Sequence, residues 1–295
     1  MSISLLAFAA ALAQDAPPPR TPNDPIDEAP ESAWTEIAAD DLMVMDVGGK
    51  RVVIQLNEAF APTHVANVKN FARNGYWDGG SVYRVVDNWV TQWGNGGNPL
   101  YADENKPLPE GAVENPPADY ARPAGSVNVT PLGSSDSFSS MAGFDNGWPV
   151  AVHDDGTVSP TYCYGYVGVA RSADPDTGTG SELFAIIGTP ARRLDRNYAV
   201  IGRVVDGMEN LSAIPRGTDT MGVYAEGQAQ IPIEVTMMDA LPEDEQMRFK
   251  MMKEGSASFA EYVYLTSHNL HYGRGTSGSD ICSVRVPVRK IEEEG

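Results

Sequence analysis

The chain has 295 residues, which is enough for one large domain or two small ones. Its hydrophobic fraction of 42% is sufficient for a core, and its 29 glycines and 22 prolines favour a loop-rich β architecture. The formal net charge of −19 repels nucleic-acid phosphates and anionic lipid headgroups, which excludes nucleic acid as the main partner. The simplest interpretation of this charge is that it serves solubility.

The first forty residues have the pattern of an export signal followed by a linker. Residues 3–13 form a short apolar run that ends in Ala11-Leu12-Ala13, small residues at the spacing of a cleavage site. This run is too short to span a bilayer, although no Lys or Arg precedes it. We expect a signal peptide over 1–13 that is cleaved near Ala13, a periplasmic location and no transmembrane segment. An acidic, proline-rich, disordered linker is expected over 14–40.

The chain has two cysteines, Cys163 and Cys282. In an exported chain such a pair favours a disulfide, which here would tie the tail to the middle of the chain; the alternative is two unrelated buried thiols. Neither cysteine lies in a CxxC motif, so a redox enzyme is not indicated. The glycine-rich stretch 174–182 fails the spacing of an EF-hand calcium loop. We expect neither a metal nor a cofactor.

The hydrophobic pattern predicts a β-rich barrel or sandwich with two helices and a C-terminal extension. Apolar runs over 41–47 and 50–56 flank two glycines and predict a hairpin. A helix is predicted from Pro62, with apolar residues at helical spacing, and it is expected to end near Gly75. The remaining predicted elements are strands at SVYRVVD, WVTQW, GYVGVAR, LFAIIG, YAVIGRVV, 231–239 and 282–291, a short helix over 208–214 and a helical pattern over 242–264.

Several short motifs occur in one particular order along the chain. They are APTHVANVKNF, RVV with WVTQ, GYVGVA, GTGSELF and VIGRVVDGM. Each motif is a weak signal, but their joint order resembles a cyclophilin-type peptidyl-prolyl cis-trans isomerase over about 41–240. The resemblance implies a mainly β fold, an eight-stranded antiparallel barrel capped by two helices, with a proline-binding groove on its outer face. Residues 99–164 would be an insertion and 241–295 an extension packed on the barrel, as in large exported forms from Gram-negative bacteria.

The chemistry that the resemblance implies needs no covalent step, metal or proton transfer. Isomerising an X–Pro bond means twisting an amide over a barrier of about 18–20 kcal/mol, which resonance at the prolyl nitrogen sustains. A donor aimed at that nitrogen weakens the resonance, and a guanidinium is a rigid, permanently charged donor. The resemblance gives this role to Arg84. The alternative for Arg84 is a strand arginine in a structural ion pair.

The resemblance also implies the rest of the groove. Phe184 would form the apolar floor of the proline pocket, and Gln92 would bind substrate backbone, so that the predicted catalytic set is Arg84, Gln92 and Phe184. The alternatives are ordinary core for the apolar positions and a turn-stabilising side chain for Gln92. The predicted substrate-binding residues are Tyr83, Trp89, Val90, Ala170, Arg171, Glu182, Leu194 and Tyr198.

The chain departs from the family pattern at several groove positions. Tyr83 and Tyr198 stand where the family has histidines, and Arg193 replaces a tryptophan, so cyclosporin-type inhibitors are expected to bind weakly. Arg171 and Glu182 replace an asparagine and a glutamine. An ion pair of Glu182 with Arg84 or Arg171 is one alternative, and it would either orient Arg84 or divert it from the substrate.

Two functional hypotheses remain open on the sequence. The first is a monomeric proline isomerase that acts on proline-containing polypeptides in the periplasm. The second is a binding module that holds such segments with little turnover, as a chaperone or scaffold does. They differ in whether Arg84 lines the groove or is locked by Glu182.

Overall fold

The computed structural model describes residues 19–95 and 106–292, so the predicted signal peptide over 1–13 lies outside the described residues. Within these ranges, no helix has the length and apolar character needed to cross a membrane. The helices are α1 (Asp24–Asp27), α2 (Pro62–Arg73), α3 (Met208–Ser212) and α4 (Ala257–His268). The strands are β1 (Trp34–Glu36), β2 (Leu42–Val47), β3 (Arg51–Leu56), β4 (Ser81–Val86), β5 (Val90–Gly94), β6 (Arg122–Pro123), β7 (Thr130–Pro131), β8 (Met141–Asp145), β9 (Trp148–Val152), β10 (Thr157–Pro160), β11 (Tyr166–Val169), β12 (Leu183–Ile186), β13 (Val200–Asp206), β14 (Ile231–Met237), β15 (Arg248–Met252) and β16 (Val288–Ile291).

A closed eight-stranded barrel lies at the centre of the fold. Its antiparallel strands follow one another in the order β11-β12-β5-β4-β14-β2-β3-β13. The predicted hairpin is β2–β3, and its two turn glycines, Gly48 and Gly49, both take the positive φ that this turn requires. The predicted fold class, a mainly β barrel, is confirmed.

Helix α2 packs on the barrel through the apolar face that its sequence predicts. Val65, Val68 and Phe71 are fully buried and share the barrel core with Trp93 of β5. The helix begins with Pro62, whose missing N–H would have no partner in a first turn. It packs against strand β14, the barrel neighbour of β4.

The predicted insertion contains more regular structure than its proline and serine content indicated. Strands β6-β10-β9-β8-β7 form a five-stranded antiparallel sheet, in that order. Its inner strands bury Phe144, Val150 and Val158. Proline occurs in the two-residue edge strands, where a missing donor costs little, and also near the ends of the inner strands β9 and β10.

The segment expected to be a disordered linker is partly ordered, and the tail differs from its predicted helix. Strand β1 pairs with β15, which pairs with β16, so residues 34–36 and the tail form one sheet. Trp34 is buried. The packing of this large apolar side chain is favourable, and it explains why this part of the acidic segment is ordered. The helical pattern over 242–264 is interrupted at Gly255, with β15 before it and α4 after a Ser256 cap.

Cys163 and Cys282 form a disulfide, which confirms the predicted pairing over two unrelated thiols. The bond joins the segment before β11 to the tail, across a sequence separation of 119 residues. Both cysteines are buried in the same apolar cluster as Phe184 of the barrel and Phe259 of α4. The tail therefore packs into the same apolar cluster as Phe184.

Candidate active site

One cavity on the outer face of the barrel brings together all eleven residues that the resemblance placed in the groove. Its volume is about 580 Å³, and strands β4, β5, β11 and β12 supply its walls together with two loops. The predicted residues that line it are Tyr83, Arg84, Trp89, Val90, Gln92, Ala170, Arg171, Glu182, Phe184, Leu194 and Tyr198. Residues from the loop after α3, which the sequence did not indicate, also line it.

A β-bulge in β4 puts two consecutive side chains into this cavity. Val82 pairs with Trp93, whereas Arg84, two residues later, pairs with the adjacent Gln92, so the register shifts at Tyr83. Val82 and Val85 both belong to the barrel core although they are three residues apart. Since strand side chains alternate between faces, the extra residue is what lets Tyr83 and Arg84 both line the groove.

Arg84 is held by two of its three nitrogens. Its Nε donates to the Met221 carbonyl oxygen at 2.8 Å and its Nη1 donates to Gln92 Oε1, also at 2.8 Å. Among the described residues, none accepts a hydrogen bond from Nη2. Burial lowers the pKa of Arg84, but the reference pKa of a guanidinium is so high that the group stays charged. A fixed cation with an unused donor therefore lines the groove.

The loop that contains Met221 was missed by the sequence analysis. Met221 has φ +57°, an uncommon conformation for a residue with a side chain, and it lies in the turn Thr220–Gly222. Its side chain is 66% exposed at the edge of the cavity, while its carbonyl binds Arg84. In the sequence, Gly222 is typical of a turn. A turn residue alone does not reveal which strand a loop will contact.

The apolar floor of the cavity is an aromatic cluster around Phe184. Its ring stacks on Tyr162 with 5.7 Å between centroids and meets Tyr198 edge-on at 5.9 Å. Gly168 pairs with Phe184 across β11 and β12. A Cβ at Gly168 would lie 2.2 Å from the Tyr162 hydroxyl and 2.6 Å from Phe184 Cζ, so the absence of a side chain there makes room for both rings.

A short 3₁₀ turn, Arg192–Leu194, forms the far wall of the groove. Leu194 lines the cavity, and Arg193 lies 4.0 Å above the Trp89 ring as a cation–π partner. Arg192 points the other way, and its almost fully buried guanidinium binds Asp136 at 2.9 Å and Asp195 at 2.5 Å. Burial raises the pKa of Asp195 to about 6, and the Arg192 cation counteracts the shift. Since Asp136 belongs to the insertion, this buried cluster joins the insertion to the groove wall.

Arg171 and Glu182 do not pair with each other, and within the described part of the chain neither is found to pair with Arg84. Arg171 binds Asp174 at 2.8 Å and lies 4.8 Å above the Tyr198 ring. Glu182 lines the cavity, and its Oε1 accepts from the Asn95 backbone N–H at 3.3 Å. Glu182 therefore does not lock Arg84, which is the observation that separates the two functional hypotheses.

Two residues expected to bind substrate, Gln92 and Ala170, already have hydrogen-bond partners within the fold. Gln92 bridges Arg84 and the Tyr83 hydroxyl, the latter through its Nε2 at 2.6 Å. The Ala170 N–H donates to the Glu182 backbone carbonyl at 2.9 Å. Among residues 19–95 and 106–292, acidic, histidine and cysteine side chains do not gather in groups of three that would hold a metal ion.

A family model described as "Cyclophilin type peptidyl-prolyl cis-trans isomerase/CLD" matches residues 42–239, about two thirds of the chain. The chain belongs to the cyclophilin-type peptidyl-prolyl cis-trans isomerases. This cyclophilin is therefore an isomerase by family, and its relatives act on proline-containing peptides.

Curated relatives and a solved structure agree with this assignment. A "Probable peptidyl-prolyl cis-trans isomerase" from Brucella suis is 23% identical over 168 residues, which cover 57% of this chain and 68% of the relative. The Brucella abortus counterpart is 22% identical over the same shares. In fold, the chain is similar to cyclophilin AquaCyp293 from Hirschia baltica, with a TM-score of 0.68, 22% identity, and coverage of 89% of this chain and 95% of that one.

Proposed function

We propose that this cyclophilin isomerises X–Pro bonds of exported proteins and that Arg84 donates a hydrogen bond to the prolyl nitrogen. The observation that carries the proposal is the geometry of Arg84. Two of its nitrogens are fixed by Met221 and Gln92, and the guanidinium lines a groove whose floor is Phe184. A donor held in this way needs no reorganisation when the amide twists.

The groove supports a non-covalent mechanism. The proline ring would lie on Phe184 between Tyr198 and Leu194, all of which line the cavity. As the X–Pro amide twists, the prolyl nitrogen becomes pyramidal and its lone pair turns towards a donor. Arg84 would bind this twisted state more tightly than either planar isomer, and only such differential binding accelerates the reaction. Phe184 and its neighbours would hold the ring while the preceding carbonyl rotates.

The export part of the proposal is supported by the Cys163–Cys282 disulfide. Such bonds persist in oxidising compartments and are rare in the cytosol of mesophiles. We expect the chain to be processed after Ala13 and to work as a monomer in the periplasm. N-terminal sequencing and light scattering of the protein recovered from a periplasmic extract check both points. A mature chain that still begins with Met1 would contradict export.

The isomerase proposal is tested by NMR exchange spectroscopy on short peptides with several X–Pro pairs. We expect the wild-type protein to accelerate cis–trans exchange, which is otherwise a process of tens of seconds. NMR exchange avoids a coupled protease, which would also cleave the enzyme's exposed loops. Peptide binding without acceleration at any X residue would contradict the proposal and would favour the binding module instead.

A further inference from the structure

A second arginine lies at the rim of the groove and is not part of the mechanism above. Arg193 is exposed and lies beside Leu194 and above Trp89, both of which line the cavity. Its guanidinium carbon is 4.0 Å from the centroid of the Trp89 ring. Within residues 19–95 and 106–292, the Arg193 guanidinium has neither a salt bridge to a carboxylate nor a hydrogen-bond acceptor. Its N–H donors are therefore available to a ligand that enters the groove.

The fold holds Arg193 in place from below. Arg193 is the middle residue of the wall turn, and its neighbour Arg192 anchors that turn through two buried salt bridges. The Arg193 carbonyl accepts a hydrogen bond from Asn197 Nδ2 at 3.3 Å. A guanidinium on an aromatic ring keeps the N–H groups of its edge, which can bind a carboxylate through two parallel hydrogen bonds. Because the turn and the ring already position this side chain, little further ordering is needed when a ligand binds.

The charged groups of the groove are distributed unevenly along strand β12. Glu182 immediately precedes this strand, whereas Val90 pairs with its last residue. Trp89 and the Arg193 guanidinium above it therefore lie at the opposite end of the strand from Glu182. Asp176, which also lines the cavity, belongs to the loop that leads into β12. The groove thus has a cation at one end of β12 and carboxyl groups at the other.

We propose that Arg193 is a specificity-determining residue that binds a carboxylate of the substrate, so that this cyclophilin prefers X–Pro segments with an aspartate or glutamate near the proline. The inference rests on the isomerase function proposed above and names its substrate class. A proline ring on Phe184 would lie beside Leu194, the chain neighbour of Arg193, and an extended peptide advances about 3.3 Å per residue. An acidic side chain about two residues from the proline therefore reaches the guanidinium. The formal net charge of −19 gives no other reason for this preference, because it repels acidic peptides.

Matched X–Pro peptides with capped ends, which differ at a single position, test the proposal. That position holds glutamate, glutamine or lysine, and it lies about two residues before the proline in one series and about two residues after it in the other. NMR titration gives the peptide dissociation constant, and NMR exchange gives kcat. In one of the two series, we expect the glutamate peptide to bind about three- to fivefold more tightly than the glutamine peptide, as partly exposed ion pairs do. Since the planar and twisted amides share this contact, KM should fall while kcat stays the same.

Three variants separate this role from a general effect of charge. Arg193→Gln should bring the affinity ratio of the glutamate and glutamine peptides to about one, and Arg193→Glu should reverse the preference in favour of the lysine peptide. Arg196→Gln removes the same charge three residues further along the chain. Arg196 pairs with Asp155 at 2.5 Å and does not line the cavity, so this control should keep the wild-type ratio. A ratio of two peptides on the same variant cancels any change in the packing of Trp89.

The outcomes are distinguishable from those that test the isomerase activity itself. A wild-type protein that accelerates exchange but binds the glutamate and glutamine peptides equally in both series would overturn the role of Arg193 and leave the isomerase proposal intact. A glutamate preference that persists in Arg193→Gln would do the same. If no peptide shows accelerated exchange, the isomerase proposal fails instead, and the affinity ratios, which are measured without turnover, still decide the role of Arg193.

Discussion

Gly168 shows how a residue without a side chain shapes the proline pocket. It pairs with Phe184 on the adjacent strand, and both Phe184 and Tyr162 occupy the space that a Cβ would need. The ring contacts of the pocket floor therefore depend on this position as much as on the rings themselves. The resemblance indicates Phe184, but nothing in the sequence indicates that Gly168 lies beneath its ring.

Gly168→Ala is expected to displace the Phe184 ring. The added methyl group overpacks a buried site, which typically lowers the free energy of unfolding by about 1–3 kcal/mol. The shifted ring should also raise KM for X–Pro peptides. Urea unfolding and NMR exchange measure the two effects, and Gly125→Ala is the matched control because a Cβ at Gly125 meets nothing within 4 Å. Equal stability and kinetics of the two variants would contradict this account.

The elements that surround the groove are positioned by features that periodicity does not reveal. The alternation in β4 would put Val82 and Arg84 on one face of the strand, yet the bulge at Tyr83 separates them. The wall turn Arg192–Leu194 depends on a buried arginine that binds an aspartate more than fifty residues earlier in the chain. Local sequence predicts that strands and turns exist, but not which distant group will compensate a buried charge.

Arg192→Ala is expected to lower the free energy of unfolding by about 3–5 kcal/mol, because it leaves Asp136 and Asp195 buried without a cation. Urea unfolding followed by tryptophan fluorescence measures this loss. Arg73→Ala breaks an exposed pair with Asp239 and should cost at most about 1 kcal/mol. A cost for Arg192→Ala as small as that of the control would show that the buried cluster does not stabilise the groove wall.

At the scale of the whole molecule, the barrel was predictable, whereas the insertion sheet and the order of residues 34–36 were not. The hairpin β2–β3 and helix α2 follow from turn glycines and from apolar residues at regular spacing, so local rules suffice for them. The insertion sheet and the strand pairing of β1 with β15 join segments that are far apart in sequence. These strands are short and give weak periodic signals, because most of their stabilisation comes from long-range packing.

In the site, too, motifs identify some features, whereas others depend on packing. All eleven residues carried over by resemblance line one cavity, because motif residues mark positions that a shared fold brings together. The Met221 carbonyl that holds Arg84 and the Asn95 backbone N–H that binds the Glu182 carboxyl were not predicted. Both depend on backbone geometry and burial, which a motif does not encode.

The central claim is that the Arg84 guanidinium stabilises the twisted amide, and kinetics of Arg84→Lys and Arg84→Ala test it most directly. Lysine keeps the charge but lacks the fork that Met221 and Gln92 hold, so both variants should lose about a hundredfold or more in kcat. The peptide dissociation constant should change little, and Arg73→Ala should match the wild-type protein. If Arg84→Ala keeps its kcat, or loses peptide binding alone, then Arg84 does not act on the transition state and the account is contradicted.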